Sequence, residues 1–174
     1  ERLFGWHAAL FPTGYSGMIK VHVGCWRDDE KGPMQVISGP IGREWVHYEA
    51  PPAGQLEAEM TKFLDWVNRD SNLDMVLKAC IAHLWFVTIH PFDDGNGRLA
   101  RAITDRMLAK AEGSECRFYS LSTQICHDRK AYYDVLEGAQ KGSLDITEWI
   151  QWFLQCFLRA LANVDHTLNG VLHR

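Results

Sequence analysis

The densest run of chemically capable side chains lies between residues 90 and 101: His90-Pro91-Phe92-Asp93-Asp94-Gly95-Asn96-Gly97-Arg98-Leu99-Ala100-Arg101. His90 can take up a proton near neutral pH, the task of a general base. Asp94 can hold Mg²⁺, which is usually bound by one or two carboxylates together with phosphate oxygens. The glycines at Gly95 and Gly97 flank Asn96, let an anion approach the backbone closely and permit left-handed dihedrals. Arg98 and Arg101 are three apart, so on a helix they share a face and can reach one anion. A base, a metal-holding carboxylate, an anion cradle and two cations are the parts that phosphoryl-type transfer requires.

The segment has plainer readings too. Asp94 also fits a simple helix cap, and a capped, salt-bridged turn stands level with a phosphate site on the residues alone. Asn96-Gly97 is a hairpin-turn dipeptide, but its flanks are helical. A calcium loop is excluded, because the spaced oxygen ligands and the Glu at the twelfth position are missing. His83 and His90, seven apart, suit a core pair or a metal pair.

The neighbouring elements determine where this run can sit. Pro91 disfavours helical geometry at His90, so the preceding helix must end near Ile89. The next helix starts around Asn96 or Gly97. Residues 94–97 therefore form a loop that enters a helix N-terminus, where unpaired N–H groups and the positive end of the helix dipole favour an anion. The preceding segment, Met75 to Thr88, is apolar almost all round and reads as the central buried helix, with Asp74 at its start.

Further helices are expected over Leu3 to Phe11, over Leu56 to Val67, from Gly95 to Ala111, from Asp128 to Gln140, and from Asp145 onward, where Glu148 completes the N-terminal pattern. A loop is expected at Glu112-Gly113-Ser114. Two stretches are β-prone: the partly alternating run Gly14 to Gly24 and the short run Met34 to Ser38, closed by Gly39-Pro40. A polar loop separates them over Arg27 to Gly32, and a second loop runs to Pro51-Pro52. The expectation is an all-α fold: six or seven helices around a buried central helix, with one short β-hairpin spanning about residues 18–39 and the functional loop and helix at 90–110.

Composition agrees with an ordinary globular chain. Its 174 residues suggest one domain, and 47% hydrophobic and 23% charged residues argue against global disorder. The net charge of −4 and the lack of a basic block speak against direct nucleic-acid binding and an anionic membrane surface. No apolar run is long enough to span a bilayer. Five dispersed cysteines, Cys25, Cys80, Cys116, Cys126 and Cys156, read as reduced cytosolic thiols, with no CxxC metal knuckle. The chain opens at Glu1 rather than Met, which suggests a piece of something longer, with a neighbouring domain before Glu1 or after Arg174.

The run 90–101 matches the Fic family signature, HxFx(D/E)GN(G/K)RxxR, at all eight specified positions: His90, Phe92, Asp94, Gly95, Asn96, Gly97, Arg98 and Arg101. The resemblance extends over most of the chain, most clearly Gly14 to Phe157. Met34 to Gly39 followed by Pro51-Pro52 resembles the family's flap and its exit, and Arg129 to Glu137 resembles the family's downstream helix. Fic proteins are mostly helical enzymes that move AMP from ATP to a protein hydroxyl. The resemblance implies a cytoplasmic bacterial adenylyltransferase that uses ATP with Mg²⁺ or Mn²⁺. His90 would be the base on a Ser, Thr or Tyr hydroxyl, and Phe92 the anchor of the loop. Asp94 would be the metal ligand and Gly95, Asn96 and Gly97 the anion hole. Arg98 would contact phosphate, with Arg101 on the γ-phosphate. Gly97 favours nucleotidyl transfer, because the related Doc-type kinases carry Lys there and transfer the γ-phosphate.

The same resemblance places Tyr132, Tyr133 and Gln140 along the adenine pocket, with Gln140 where the family often has Asn. Gln35, Val36, Ile37 and Ser38 would form a flap whose edge pairs with an extended target segment through main-chain bonds. The family's inhibitory motif, [S/T]xxxE[G/N], is absent: Leu108 and Tyr133 stand four residues before Glu112 and Glu137. An inhibitory helix would then come from a missing upstream segment or from a partner antitoxin. The Trp-rich helices suit a homodimer. Rival functions are the transfer of UMP or GMP, a nucleotide- or partner-binding module without turnover, and the removal of AMP from modified proteins.

Overall fold

The computed structural model describes residues 1–40, 42–113 and 118–172; the side chains of residues 165–172 are not described. Cys116, and Ser114 of the expected loop, lie outside the described residues. The order of elements is α1 (Arg2–Leu10), β1 (Tyr15–Ser16), β2 (Ile19–Lys20), β3 (Gln35–Ser38), β4 (Trp45–Glu49), a 3-10 turn (Ala53–Gln55), α2 (Leu56–Asn68), α3 (Met75–Ile89), α4 (Asn96–Glu112), α5 (Leu121–His127), α6 (Arg129–Lys141) and α7 (Thr147–Leu172). The protein is all-α with small antiparallel strand pairs, as expected. It forms two compact units that alternate along the chain. One holds Glu1–Asn72 and Ala82–Ile103, the other Leu73–Ile81 and Thr104–Arg174, so α3 and α4 each give residues to both.

The first unit is built on aromatic packing beneath the segment 90–98. Phe92 is fully buried. The His7 ring stacks on it at 4.1 Å and 13°, Trp26 lies 5.1 Å away, and Phe86 of α3 lies at 6.5 Å. Phe63 of α2 meets Trp85 and Phe86 at 5.7 Å each, and Trp66 meets Trp85 at 5.6 Å. A buried aromatic of this kind is worth about 3–5 kcal/mol against truncation to Ala. α3 is the most deeply buried helix, with Ala79, Cys80, Ala82, His83 and Phe86 at zero exposure. Asp74 caps it: its Oδ1 accepts from the N–H groups of Val76 and Leu77 at 2.8 and 3.2 Å.

The strands differ from expectation. The flap strand β3 does not pair with the 18–23 segment. It pairs with β4, in the register Gln35↔Glu49, Val36↔Tyr48, Ile37↔Val46 and Ser38↔Trp45, with a bulge after Val36. The hairpin is thus 35–49 rather than about 18–39. Trp45-Val46-His47-Tyr48 forms a strand where the sequence suggests loop, because two short strands joined by Gly39-Pro40 and Gly42 offer little period-two pattern. The 14–24 run instead folds back on itself, with Tyr15↔Lys20 and Ser16↔Ile19 paired around Gly17. Each of these is a two-stranded sheet, so the edge of β3 away from β4 has no strand beside it among the described residues.

The second unit has its own core. Trp149, Phe153 and Cys156 of α7 are fully buried, and the Trp149 indole N–H donates to the Cys80 carbonyl at 3.1 Å. Cys80 and Cys156 are free thiols whose pKa values burial pushes up to about 12 and about 11, so they are inert. Asp145 opens α7 by accepting from the Thr147 N–H and Oγ1. Asp128 stands at the N-cap position of α6, but its carboxylate makes no cap bond. It accepts instead from Gln124 at 3.0 Å and Arg159 at 2.6 Å. α5, unmarked in the sequence, begins at a true cap, with Ser120 Oγ accepting from the Thr123 N–H at 3.1 Å. Among the described residues, no helix is long and apolar enough to cross a membrane.

Candidate active site

α3 ends at Ile89 because Pro91 bars His90 from continuing it. His90 turns out of the helix with φ +51°, and no other non-glycine among the described residues has a positive φ. That conformation costs an L-residue roughly 1–2 kcal/mol and persists only where neighbours hold it. Four bonds do so. The His90 N–H donates to the Phe86 carbonyl at 3.1 Å, and Arg27 Nε donates to the His90 carbonyl at 2.8 Å. The Arg27 N–H donates to the Pro91 carbonyl at 3.0 Å, and His90 Nδ1 lies 3.2 Å from the Val87 carbonyl. A carbonyl can only accept, so Nδ1 carries the hydrogen and Nε2 is the lone-pair nitrogen. Burial lowers the pKa of the ring. The charge of Arg27 adds to this, against the opposing pull of the Val87 carbonyl and Asp94. His90 is a neutral base at neutral pH.

The loop that follows closes on Asn96. Its buried amide receives the Phe92 N–H on Oδ1 at 3.0 Å and donates to the Phe92 carbonyl through Nδ2 at 2.7 Å. Both ends of that side chain bond the loop, and the Asn96 backbone N–H is among the donors at the helix start. Gly95 sits at φ +83°, and a Cβ there would meet the Phe11 ring at 3.0 Å. Only glycine fits both the dihedral and the space. The first intrahelical bond of α4 is Leu99 N–H to Gly95 C=O at 2.9 Å, so the N–H groups of Asn96, Gly97 and Arg98 project from the helix start. The Gly95 N–H donates to Asp94 Oδ1 at 2.5 Å.

The cations converge on that helix start. Arg98 lies over the Phe11 ring at 4.6 Å and 3.6 Å from Asp94 Oδ2. Arg101 folds back along α4, its terminal nitrogen 3.6 Å from where a Gly97 Cβ would stand. That is ordinary contact distance, so Gly97 is not sterically required. Asp94 Oδ2 accepts from Ser16 Oγ at 2.5 Å. One carboxylate facing an anion cradle suits a metal that arrives with its nucleotide, and no cluster of three His, Cys, Asp or Glu among the described residues could hold one alone. His83, the other half of the expected pair, is fully buried, and its pKa is pushed down to about 3 by burial, with Arg101 adding to the effect. It is a neutral core residue.

The Fic/DOC family profile matches residues 1–108. The chain belongs to the Fic/DOC family. The protein adenylyltransferase Fic of Culex quinquefasciatus is 34% identical over 113 residues, covering 64% of this chain and 21% of that protein. A probable protein adenylyltransferase of Aquifex aeolicus is 27% identical over 101 residues, covering 58% and 29%. This Fic/DOC chain thus spans less than a third of the length of these relatives. A Fic family protein of Desulfovibrio desulfuricans G20 superposes with a TM-score of 0.73 at 26% identity, over 95% of this chain and 46% of that one. A Fic domain containing signaling protein of Bacteroides thetaiotaomicron has the same fold, with a TM-score of 0.69 at 22% identity over 97% and 62%.

Every signature residue of this Fic/DOC chain, from His90 to Arg101, falls in the first unit, together with Gln35, Val36, Ile37 and Ser38 of β3. Tyr132, Tyr133 and Gln140 lie on α6 in the second. Tyr132 is buried, 5.5 Å from Trp152 and 6.1 Å from Trp149, as a core residue would be. Tyr133 is half exposed, with the Arg129 guanidinium 5.7 Å over its ring, and Gln140 is half-buried.

Sequence reasoning missed the residues that hold the loop from outside it. His7 is fully buried. Its Nδ1 accepts the Gly24 N–H at 3.1 Å, which leaves Nε2–H to donate to the Asp94 carbonyl at 3.2 Å. A histidine in register with Phe4 and Phe11 on a short apolar helix is the signal that could have found it. Arg27 opens a polar run in the sequence, and nothing in its neighbourhood marks it as buried. Asp93 accepts from the His22 N–H at 2.9 Å and lies 3.0 Å from the His22 ring nitrogen.

Proposed function

We propose that this Fic/DOC chain transfers AMP from ATP to a side-chain hydroxyl of a target protein. The observation that carries the reading is His90: a neutral imidazole with Nδ1 committed to the Val87 carbonyl and Nε2 left as acceptor, six residues before the start of α4, whose first N–H groups are open to an anion. The target hydroxyl attacks the α-phosphorus and gives its proton to His90 Nε2. A new oxygen–phosphorus bond forms, the bond from the α-phosphorus to the α,β-bridging oxygen breaks, and pyrophosphate leaves. The N–H groups of Asn96 and Gly97, with Arg98 and Arg101, hold the phosphates and stabilise charge from positions set before the reaction. Asp94 would hold Mg²⁺ or Mn²⁺ on the nucleotide phosphates, and that ion would neutralise charge on the leaving group. Tyr132, Tyr133 and Gln140 are the proposed adenine contacts. The open edge of β3 is the proposed docking edge for the target, and an upstream helix or an antitoxin the proposed restraint.

The test is label transfer in the presence of Mg²⁺ with ATP labelled at the α- or the γ-phosphate, using wild type and His90→Ala. Retention of the α-label alone, lost in His90→Ala, is the expected result. Retention of the γ-label alone would overturn the argument from Gly97 and make the enzyme kinase-like. Competition by UTP or GTP would reassign the nucleotide. ATP binding without labelling from either position, in the protein alone and in lysate, would leave a binding module.

A further inference from the structure

Arg27 lies outside the signature yet bonds the carbonyls of both His90 and Pro91, and none of its bonds is to the anion cradle. Its side chain is entirely buried. Nε donates to the His90 carbonyl at 2.8 Å, one terminal nitrogen donates to the Pro51 carbonyl at 2.5 Å, and the other meets Asp29 Oδ1 at 2.9 Å. Asp29 in turn accepts from the Ala53 N–H through Oδ2 at 2.6 Å. The Arg27 backbone N–H holds the Pro91 carbonyl. One guanidinium therefore joins the peptide of the base to the exit of β4, two residues after that strand ends. A second tie runs parallel to it, from Tyr48 Oη of β4 to the Thr88 carbonyl at 2.8 Å.

A buried ion pair of this kind is weak evidence for stability, since apolar side chains of similar volume often serve as well. What an apolar residue cannot do is bond two carbonyls at once; arginine does so here from two separate nitrogens of its planar fork, whereas all the donors of lysine sit on a single nitrogen. The His90 carbonyl also needs a fixed partner, because the left-handed φ at that residue determines where its ring points. The cradle is held separately, through His7 on the Asp94 carbonyl and Ser16 on the Asp94 carboxylate.

We infer that Arg27 is a positioning residue: it sets the orientation of the base and fixes it to the root of the flap hairpin, while leaving nucleotide binding to the cradle. This inference rests on the proposed AMP transfer for its kinetic consequence, but not for its structural one. The experiment compares wild type, Arg27→Lys and Arg27→Ala by MgATP titration calorimetry, α-label transfer and amide hydrogen exchange. Arg27→Lys keeps the charge opposite Asp29 and serves if the alanine variant does not fold. In Arg27→Lys we expect ATP affinity within about twofold of wild type and kcat lower by about 10- to 100-fold. We also expect faster exchange in residues 45–53 and 86–92 together. Equal losses of affinity and kcat would overturn the inference, as would an unchanged kcat or faster exchange in only one segment. If the wild type transfers no AMP, the functional reading fails on its own, and joint exchange of the two segments still upholds the positioning role.

Discussion

The loop 90–98 and the hairpin 35–49 belong to the same unit and are built in opposite ways. The loop is tied at each residue from His90 to Asp94, mostly from outside it. Arg27 holds His90 and Pro91, Asn96 holds Phe92, the His22 N–H holds Asp93, and His7 and Ser16 hold Asp94. The hairpin is tied at its root, by Tyr48 and Pro51. Beyond that, its strands carry exposed cross-strand pairs such as Gln35 with Glu49 and Ser38 with His47. Ile37, Trp45 and Val46 show 53%, 64% and 41% of their surface. Preorganised groups gain from rigidity because they need no rearrangement at the moment of reaction. An edge meant to accept another chain's backbone gains from being left unpaired. Under the proposed AMP transfer, the contrast is what a fixed chemical step on a docked target would require.

The largest effect that would sharpen this contrast is on the base. His90→Ala should lower AMP transfer by about 10²- to 10⁴-fold while ATP binding persists, because the cradle does not use the imidazole. Single-turnover labelling set beside calorimetric titration of MgATP checks it; a parallel loss of binding would mean that base and cradle are one structural element. Next in size is Asn96→Ala. It strands the buried N–H and C=O of Phe92 and should destabilise the fold by about 2–4 kcal/mol, read from urea unfolding. A cost below about 1 kcal/mol would mean that the loop is held by its outer ties alone.

What was legible in the sequence follows the same division. His90 to Arg101 could be read because the chemistry is local: Pro91 ends one helix, Gly95 needs a left-handed dihedral, and the arginines share a face by spacing alone. α3 was legible because hardly any residue in it is polar. His7, Ser16 and Arg27 were not, because each acts on a residue more than sixty positions away, and no period or spacing encodes a bond of that reach. The partner of β3 was misplaced for a related reason. Two β-prone runs looked like one hairpin, whereas the second strand lay behind Gly39-Pro40 in a stretch too short and too exposed to alternate visibly. Asp128 shows the converse case: a residue well suited to cap a helix was taken by Gln124 and Arg159, which the chain brings up from either side.

A smaller effect tests the buried half of the comparison through pH. His83 is fully buried and neutral, its pKa held at about 3 against an ordinary 6.5. Between those values the unfolded chain binds a proton that the folded chain does not. Stability is therefore fully present above 6.5 and falls as pH drops. The loss should be about 1.4 kcal/mol from this group alone at one unit below 6.5. His7 and His90, also lowered mainly by burial, act in the same direction. Urea midpoints at pH near 7.5 and 5.5 should show the drop, and His83→Gln should flatten it. A His83→Gln protein with an unchanged pH slope would place the titrating groups elsewhere. Activity should share the sign: with the His90 pKa lowered, the acid limb of the rate profile should begin below 6.5.

The smallest effect on the fold is expected at the hairpin, and it decides whether the contrast concerns function or only packing. Ile37 is half exposed on the strand whose outer edge is open. Ile37→Thr keeps the β-branched shape and removes apolar surface, so stability should move by no more than about 0.5 kcal/mol. Main-chain pairing at the edge would survive as well, since it does not depend on the side chain. If the hairpin serves only as a backbone template, transfer to a protein target should be unchanged along with stability. If its exposed apolar face contributes to recognition, KM for the protein target should rise while KM for ATP and the autolabelling rate stay put. A fall in stability of more than about 1 kcal/mol would break the comparison itself, because the hairpin would then be tied into the fold as firmly as the loop.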